Sequence, residues 1–290
     1  MSTIVATDLS EHSQDAVRWA STYAAELDSP LHVAHIIDTL GDDELWTALF
    51  DTPAEIEERV LRTASERTSV FANTALEGVA TPSERKIFVA VGPPAHEIER
   101  FAKEKGAELI VCGTSGHGRV RNALFGSTAY RLSHATTRPT VYVPPGSAVP
   151  PPRNIIVALD FSECSLAALR WVAPISKRWN SSVTAVHGIG VSALSPDFEP
   201  AANFVPMIDA LTAQREEQLA VQLEAAGVDG RVVISRSSPA DAIIETAASV
   251  DADLIIMGTH GRGAVGRLLL GSVAQRVLRE TTCPVATIHA

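Results

Sequence analysis

The chain is written twice. Shifted by 152 residues, TIVATDLSEHSQDAVRWA from Thr3 lies over IIVALDFSECSLAALRWV from Ile155. Asp8 then meets Asp160, Ser10 meets Ser162, Arg18 and Trp19 meet Arg170 and Trp171, and His35 meets His187. With the shift shortened to 145, LIVCGTSGHGRVRNALFGSTAYRLSHATTRPTVYV from Leu109 lies over LIIMGTHGRGAVGRLLLGSVAQRVLRETTCPVATI from Leu254. The change of shift places a few extra residues in the middle of the first half, where loops take insertions at small entropic cost. A duplication of this extent constrains the fold more than any local motif, because both copies must form the same kind of unit. A chain of 290 residues accommodates two domains that each bury a core. The prolines of PPGSAVPPPR, residues 144–153, favour an extended, semi-rigid linker. The expected domains are 1–144 and 154–290, with 145–153 as the linker.

Within the first half, short β-branched runs alternate with helical patterns. The runs are Thr3–Thr7, Leu31–Ile37, Arg85–Val91, Glu108–Cys112 and Thr140–Val143. Four of them are nearly continuous apolar stretches, as parallel strands covered on both faces are. Between them, Ser10–Leu27, Pro53–Leu76 and Ala95–Lys105 are long enough for crossover helices. Alternation of this kind implies right-handed βαβ units. Each half is therefore expected to be α/β, a doubly wound five-stranded parallel sheet of order 3-2-1-4-5, two in tandem.

A formal net charge of −10 disfavours binding to nucleic acid or to a membrane surface, since both need a cationic face. Three scattered cysteines, none in a CxxC pair, indicate neither a disulfide framework nor a zinc site and suit a reducing compartment. The opening MSTIVATDLS has no basic and long apolar leader, and no run of about 18 apolar residues occurs, so the expected location is cytoplasmic.

Ligands of open α/β sheets sit beyond the strand ends where the winding reverses, here the ends of the first and fourth strands. These ends carry Asp8 and Asp160, and Gly113 and Gly258. MGTHGRGAVGRLLLGS, residues 257–272, contains a GxGxxG made by Gly261, Gly263 and Gly266. As a dinucleotide fingerprint it is misplaced: it follows the fourth strand, lacks the later ribose-binding acid, and its last glycine faces Arg121 in the other half. The halves share G-x2-G-x9-G-S instead. Glycines at the strand end let backbone amides approach an anion, and Gly126-Ser127 and Gly271-Ser272 open a helix whose free amides face the same region. No GxxxxGK[ST] supplies a phosphoryl-transfer lysine.

These motifs resemble the universal stress protein family in its ATP-binding, tandem-domain form. That family carries G-x2-G-x9-G-[ST] after the fourth strand and an Asp ending the first. The likeness extends to TDLSEHSQDAVRWA, HIID, GPPAHEI, and the prolines Pro139 and Pro284 that introduce the last strands. It implies one ATP per domain, with Mg²⁺ or Mn²⁺ bridging phosphate oxygens. Asp8 with Thr7, and Asp160 with Leu159, would lie beside the nucleotide. Ile36 would cover the adenine, and Gly188 in the second half would remove that apolar contact. Cys112 and Met257 would lead into the loops. Gly113, Gly116, His117, Gly118, Arg119, Gly126, Ser127 and Thr128 would hold ribose and phosphates in the first domain. Gly258, Gly261, Arg262, Gly263, Gly271, Ser272 and Val273 would do so in the second, with Arg119 and Arg262 adding positive charge. The resemblance also implies self-association through the last strand of each domain, as an internal pseudo-dimer of the two domains that leaves room for a further homodimer.

The nucleotide would be a regulatory or structural ligand, with weak ATPase activity at most, since no residue stands out as a base. Two alternatives belong to other classes. One is an adenylating or ATP-hydrolysing enzyme of the related adenine-nucleotide hydrolase-like group, whose Ser-Gly-Gly loop after the first strand is replaced here by TDLSEH and ALDFSEC. The other is a nucleotide-independent interaction protein. Bland roles remain for several residues: Asp8 and Asp160 as helix caps or partners of caps, His35 and His187 as packing or turn residues, Trp19 and Trp171 as packing, and EIEER from Glu55 as a solvated helix face. His32 and His35 have no companion set for zinc. Ser115 has His260 in its place in the copy and no GxSxG around it, which argues against a catalytic triad.

Overall fold

A computed structural model describes residues 2–38, 54–116, 125–147, 149, 151–190, 204–261 and 270–290. They divide into two compact units, Met1–Pro151 and Pro152–Ala290.

The first unit runs β1 (Ser2–Thr7), a 3-10 turn (Glu11–Ser13), α1 (Gln14–Glu26), β2 (Leu31–Ile37), α2 (Ala54–Ala75), β3 (Arg85–Val91), α3 (Pro94–Glu104), β4 (Ala107–Gly113), α4 (Ser127–Ala135) and β5 (Thr140–Val143). Its strands pair in parallel in the order β3-β2-β1-β4-β5. The second unit repeats the pattern with β6 (Asn154–Ala158), α5 (Glu163–Trp179), β7 (Ser182–Gly188), α6 (Phe204–Ala226), β8 (Gly230–Ser235), α7 (Pro239–Ser249), β9 (Leu254–Gly258), α8 (Ser272–Glu280) and β10 (Val285–Ile288). Its order is β8-β7-β6-β9-β10, again parallel. This is the doubly wound α/β architecture that the alternating pattern predicts.

Every residue of β1 is buried, which explains its unbroken apolar and small composition. Val5 sits in register between Val33 of β2 and Val111 of β4. α1 covers this sheet with Ala16, Val17, Trp19, Ala20, Tyr23 and Ala24, a stripe at helical spacing. Trp19 is fully enclosed and stacks on Tyr23 with ring centroids 5.3 Å apart, so it packs the core. Trp171 is half-buried. In EIEER, Glu58 and Arg59 are exposed.

Local chemistry sets the helix starts. Pro94 and Pro239 stand in the first turns of α3 and α7, where the missing N–H costs nothing. Ser162 caps α5, its Oγ accepting from the Ser165 N–H at 3.2 Å. In the first unit Ser10 makes no such bond, and the chain passes through the 3-10 turn before α1 begins, so the expected single helix from Ser10 is divided. Ser13 Oγ lies 2.7 Å from Thr7 Oγ1 and donates to the Ser10 carbonyl at 2.8 Å, tying that turn to the end of β1. The expected extended linker opens as a turn instead. Ser147 N–H and Oγ both reach the Pro144 carbonyl, and the Gly146 N–H donates to Asp15 Oδ2 at 2.7 Å.

Candidate functional site

Both sheets reverse their strand order beside β1 or β6, and the chain leaves these strands through a matched turn. Asp8 Oδ1 accepts from the Ser10 N–H at 3.0 Å and from Ser10 Oγ at 2.5 Å. Asp160 Oδ1 accepts from Ser162 N–H and Oγ at the same distances. The residue after each aspartate is forced to positive φ, 63° at Leu9 and 64° at Phe161. A bulky side chain in that region costs energy that the surroundings must hold in place. Because Ser162 is the cap of α5, Asp160 does partner a helix cap, and that role uses only one of its two oxygens.

The other oxygen turns toward the glycine loop. Asp8 Oδ2 lies 2.5 Å from the point a Cβ on Gly116 would occupy, and Asp160 Oδ2 lies 2.7 Å from the equivalent point at Gly261. A side chain at either glycine would displace the carboxylate oxygen from this position. The loop is stapled at its base in both units. Thr114 N–H donates to the Val143 carbonyl at 3.1 Å, and Gly126 N–H to the Thr114 carbonyl at 2.7 Å. Thr259 N–H donates to the Ile288 carbonyl at 3.0 Å, and Gly271 N–H to the Thr259 carbonyl at 2.8 Å. Gly126 and Gly271 then cap α4 and α8 without a side-chain cap bond. The first-turn amides of these helices therefore lack the usual side-chain acceptor, the arrangement that favours an anion at a helix N-terminus.

Gly113 and Gly258 differ in what their missing side chain makes room for. Neither stands at positive φ. A Cβ on Gly258 would come within 2.8 Å of Cys164 Cβ and 2.9 Å of Ser165 N, so this glycine lets the start of α5 close onto β9. At Gly113 the nearest atom would be the Ser115 carbonyl oxygen at 3.4 Å, an ordinary contact.

These parts line a cavity in each unit. The first, about 500 Å³, is lined by Thr7, Asp8, Ile36, Cys112, Gly113, Gly116, Gly126, Ser127 and Thr128, all anticipated from sequence. The second, about 400 Å³, is lined by Leu159, Asp160, Gly188, Met257, Gly258, Gly261, Gly271, Ser272 and Val273. His117, Gly118, Arg119, Arg262 and Gly263 lie outside the described residues. Cys112 is buried, and burial pushes its thiol up to about 12, so it is a neutral apolar wall rather than a thiolate.

Sequence reasoning missed the wall supplied by the third helix of each unit, Pro94 with Ile98 and Pro239 with Ile243. It also missed Asp38, which follows β2 and lines the first cavity. The expected loss of an apolar contact at Gly188 is compensated. A Cβ there would meet Pro239 Cα at 2.7 Å and N at 2.9 Å, so α7 occupies the space that a side chain would fill. The signal was the pairing of GPPAHEI with SSPADAI, which places Pro239 opposite Pro94.

Two doubly wound α/β domains in tandem, each with a carboxylate and two glycines at the reversal of strand order, define a narrow class. The chain belongs to the universal stress protein family, whose model matches residues 1–144 and 152–289. It is 28% identical to universal stress protein Rv2005c of Mycobacterium tuberculosis, over 97% of this chain and 95% of that one. A crystal structure of a universal stress protein from Archaeoglobus fulgidus shares the fold at TM-score 0.67 and 21% identity, covering 99% of this chain and 98% of its own. A universal stress protein of Archaeoglobus fulgidus solved in complex with dAMP covers 47% of this chain and 97% of its own, at 22% identity and TM-score 0.35. No helix among the described residues is long and apolar enough to cross a membrane.

Proposed function

We propose that each domain binds ATP as a regulatory or structural ligand. The observation that carries this reading is the duplicated cradle, in which an aspartate oxygen occupies the space beside a glycine that a Cβ would take, with a helix start that has no side-chain cap lining the same cavity. The residues fit a nucleotide by their chemistry. Apolar walls at Ile36, Pro94 and Ile98, or at Pro239 and Ile243, suit a base, the carboxylates suit ribose hydroxyls, and the helix amides suit phosphates. Among the described residues no group of three or more His, Cys, Asp or Glu could hold a metal ion. The family resemblance implies a divalent cation on the phosphate oxygens, where it would neutralise their charge. The three free cysteines support a reducing, cytoplasmic compartment, and the family match supports a role in stress responses. Self-association through Thr140–Val143 and Val285–Ile288 belongs to the same reading, and sedimentation at several concentrations tests it.

The small molecules released from purified protein, identified by mass spectrometry, test the ligand class. Adenine nucleotide is the expected result, and a non-nucleotide ligand in both cavities would overturn the reading. Conversion of ATP to AMP and pyrophosphate by the same preparation would favour the adenylating-enzyme class instead.

A further inference from the structure

We propose that His35 and His187 are positioning residues, holding the strand ends from which Asp8 and Asp160 are aimed at the ligand. The inference rests on nucleotide binding in the two cavities and adds to it the groups that fix the carboxylates.

His35 Nδ1 lies 2.9 Å from the Thr7 carbonyl oxygen, and His187 Nδ1 lies 2.6 Å from the Leu159 carbonyl oxygen. A carbonyl can only accept, so Nδ1 carries the hydrogen in both rings. Thr7 and Leu159 are buried, and each is the residue immediately before the aspartate. Without the imidazole, a carbonyl leaving the sheet would lose its partner in an apolar setting. The next two residues depend on where that carbonyl points. The aspartate must present Oδ1 to the serine and Oδ2 to the glycine, and Leu9 or Phe161 must stay at positive φ. In the second unit the same ring also meets Phe161 edge-on, with centroids 5.3 Å apart, while the Arg215 guanidinium lies 5.2 Å from the Phe161 ring centroid. One imidazole therefore fixes both the carbonyl before Asp160 and the strained residue after it. The duplication argues for a shared task. Two packing histidines have no need to find the same backbone atom, whereas two carboxylates held against two glycines need the same anchor.

Amide NMR on the full chain reads each site separately, because the Ser10 and Ser162 N–H groups bond to Asp8 and Asp160. Titration with ATP is followed at both amides, and a pH titration without ligand reports each carboxylate. His187→Ala is expected to weaken ATP binding at Ser162 by about tenfold, the effect of one buried hydrogen bond, and to leave Ser10 unchanged. His187→Asn, which keeps a donor near Nδ1, restores most of the affinity. In an Asp160→Asn background, His187→Ala causes no further loss, since it acts through that carboxylate. The pH midpoint seen at Ser162 moves in His187→Ala. An equal loss with and without Asp160, or an unmoved midpoint, would overturn the proposal. If wild type shows no response to ATP, the nucleotide reading fails, and the pH midpoint still decides the positioning role. Should His187→Ala fail to fold, His187→Gln takes its place, its longer amide misplacing the donor. His35→Ala, read at Ser10, repeats the test in the first domain.

Discussion

Asp8 Oδ2 approaches to within 2.5 Å of the point where a Cβ on Gly116 would stand, and Asp160 does the same at Gly261 within 2.7 Å. The contact joins the end of the first strand to the loop after the fourth, so it bridges the reversal of strand order from both sides. Gly116→Ala displaces Oδ2, and the carboxylate either turns about the bonds that hold Oδ1 to Ser10 or gives them up. ATP affinity in the first domain is expected to fall by at least about tenfold, roughly 1.4 kcal/mol, with the second domain unaffected. Gly261→Ala gives the mirror result. Calorimetry on each variant checks both, and unchanged affinities would remove the carboxylate from the site.

Gly113 and Gly258 occupy equivalent positions and should respond differently to alanine. The Cβ at 258 would overlap the backbone of Cys164 and Ser165, and overpacking of that kind costs about 1–3 kcal/mol. At 113 the nearest contact is 3.4 Å, and the cost stays below about 1 kcal/mol. Urea unfolding of the two single variants separates them by midpoint. Equal midpoints would contradict the packing described here.

The duplication, the fold class and the parallel strand order within each unit were legible because hydrophobic runs and their spacing record burial directly. So were the residues at the ends of β1 and β4, which topology alone brings together. Pro239 and Ile243 were not, because their approach depends on how closely α7 settles on β7, and that distance is set by the absent side chain at Gly188. The positive φ of Leu9 and Phe161 was hidden for a related reason: nothing in a leucine or phenylalanine announces a left-handed backbone, which the neighbouring aspartate, serine and histidine impose.

Gly188 supplies a further contrast. Gly188→Ala places a Cβ 2.7 Å from Pro239 Cα, so α7 must retreat, at about 1–3 kcal/mol of stability. Ile36→Val, at the matching position of the first unit, removes one methyl group and costs about 0.5–1.5 kcal/mol. Chemical denaturation of both variants measures the difference. A neutral Gly188→Ala would show that α7 is free to move away from the sheet.

His289 gives the second domain a pH dependence. Burial, reinforced by the neighbouring His260, lowers its pKa from 6.5 to about 4. A base whose folded pKa is depressed binds more protons when unfolded, so the unfolded state gains as pH falls through 6.5 toward 4, and stability declines over that window before levelling below it. His289→Gln is expected to flatten the decline. Denaturation midpoints across that range test this, and an identical slope in the variant would assign the effect to other groups.

We propose that each domain holds ATP in the cleft between its aspartate and its glycine loop. Calorimetric titration of the nucleotide-stripped full chain with ATP tests it most directly, alongside the Gly116→Ala, Gly261→Ala double variant. Saturable binding by the wild type is expected, with affinity lower by at least about tenfold in the still-folded double variant. Absence of binding by the wild type at millimolar ATP, or undiminished binding by the double variant, would contradict it.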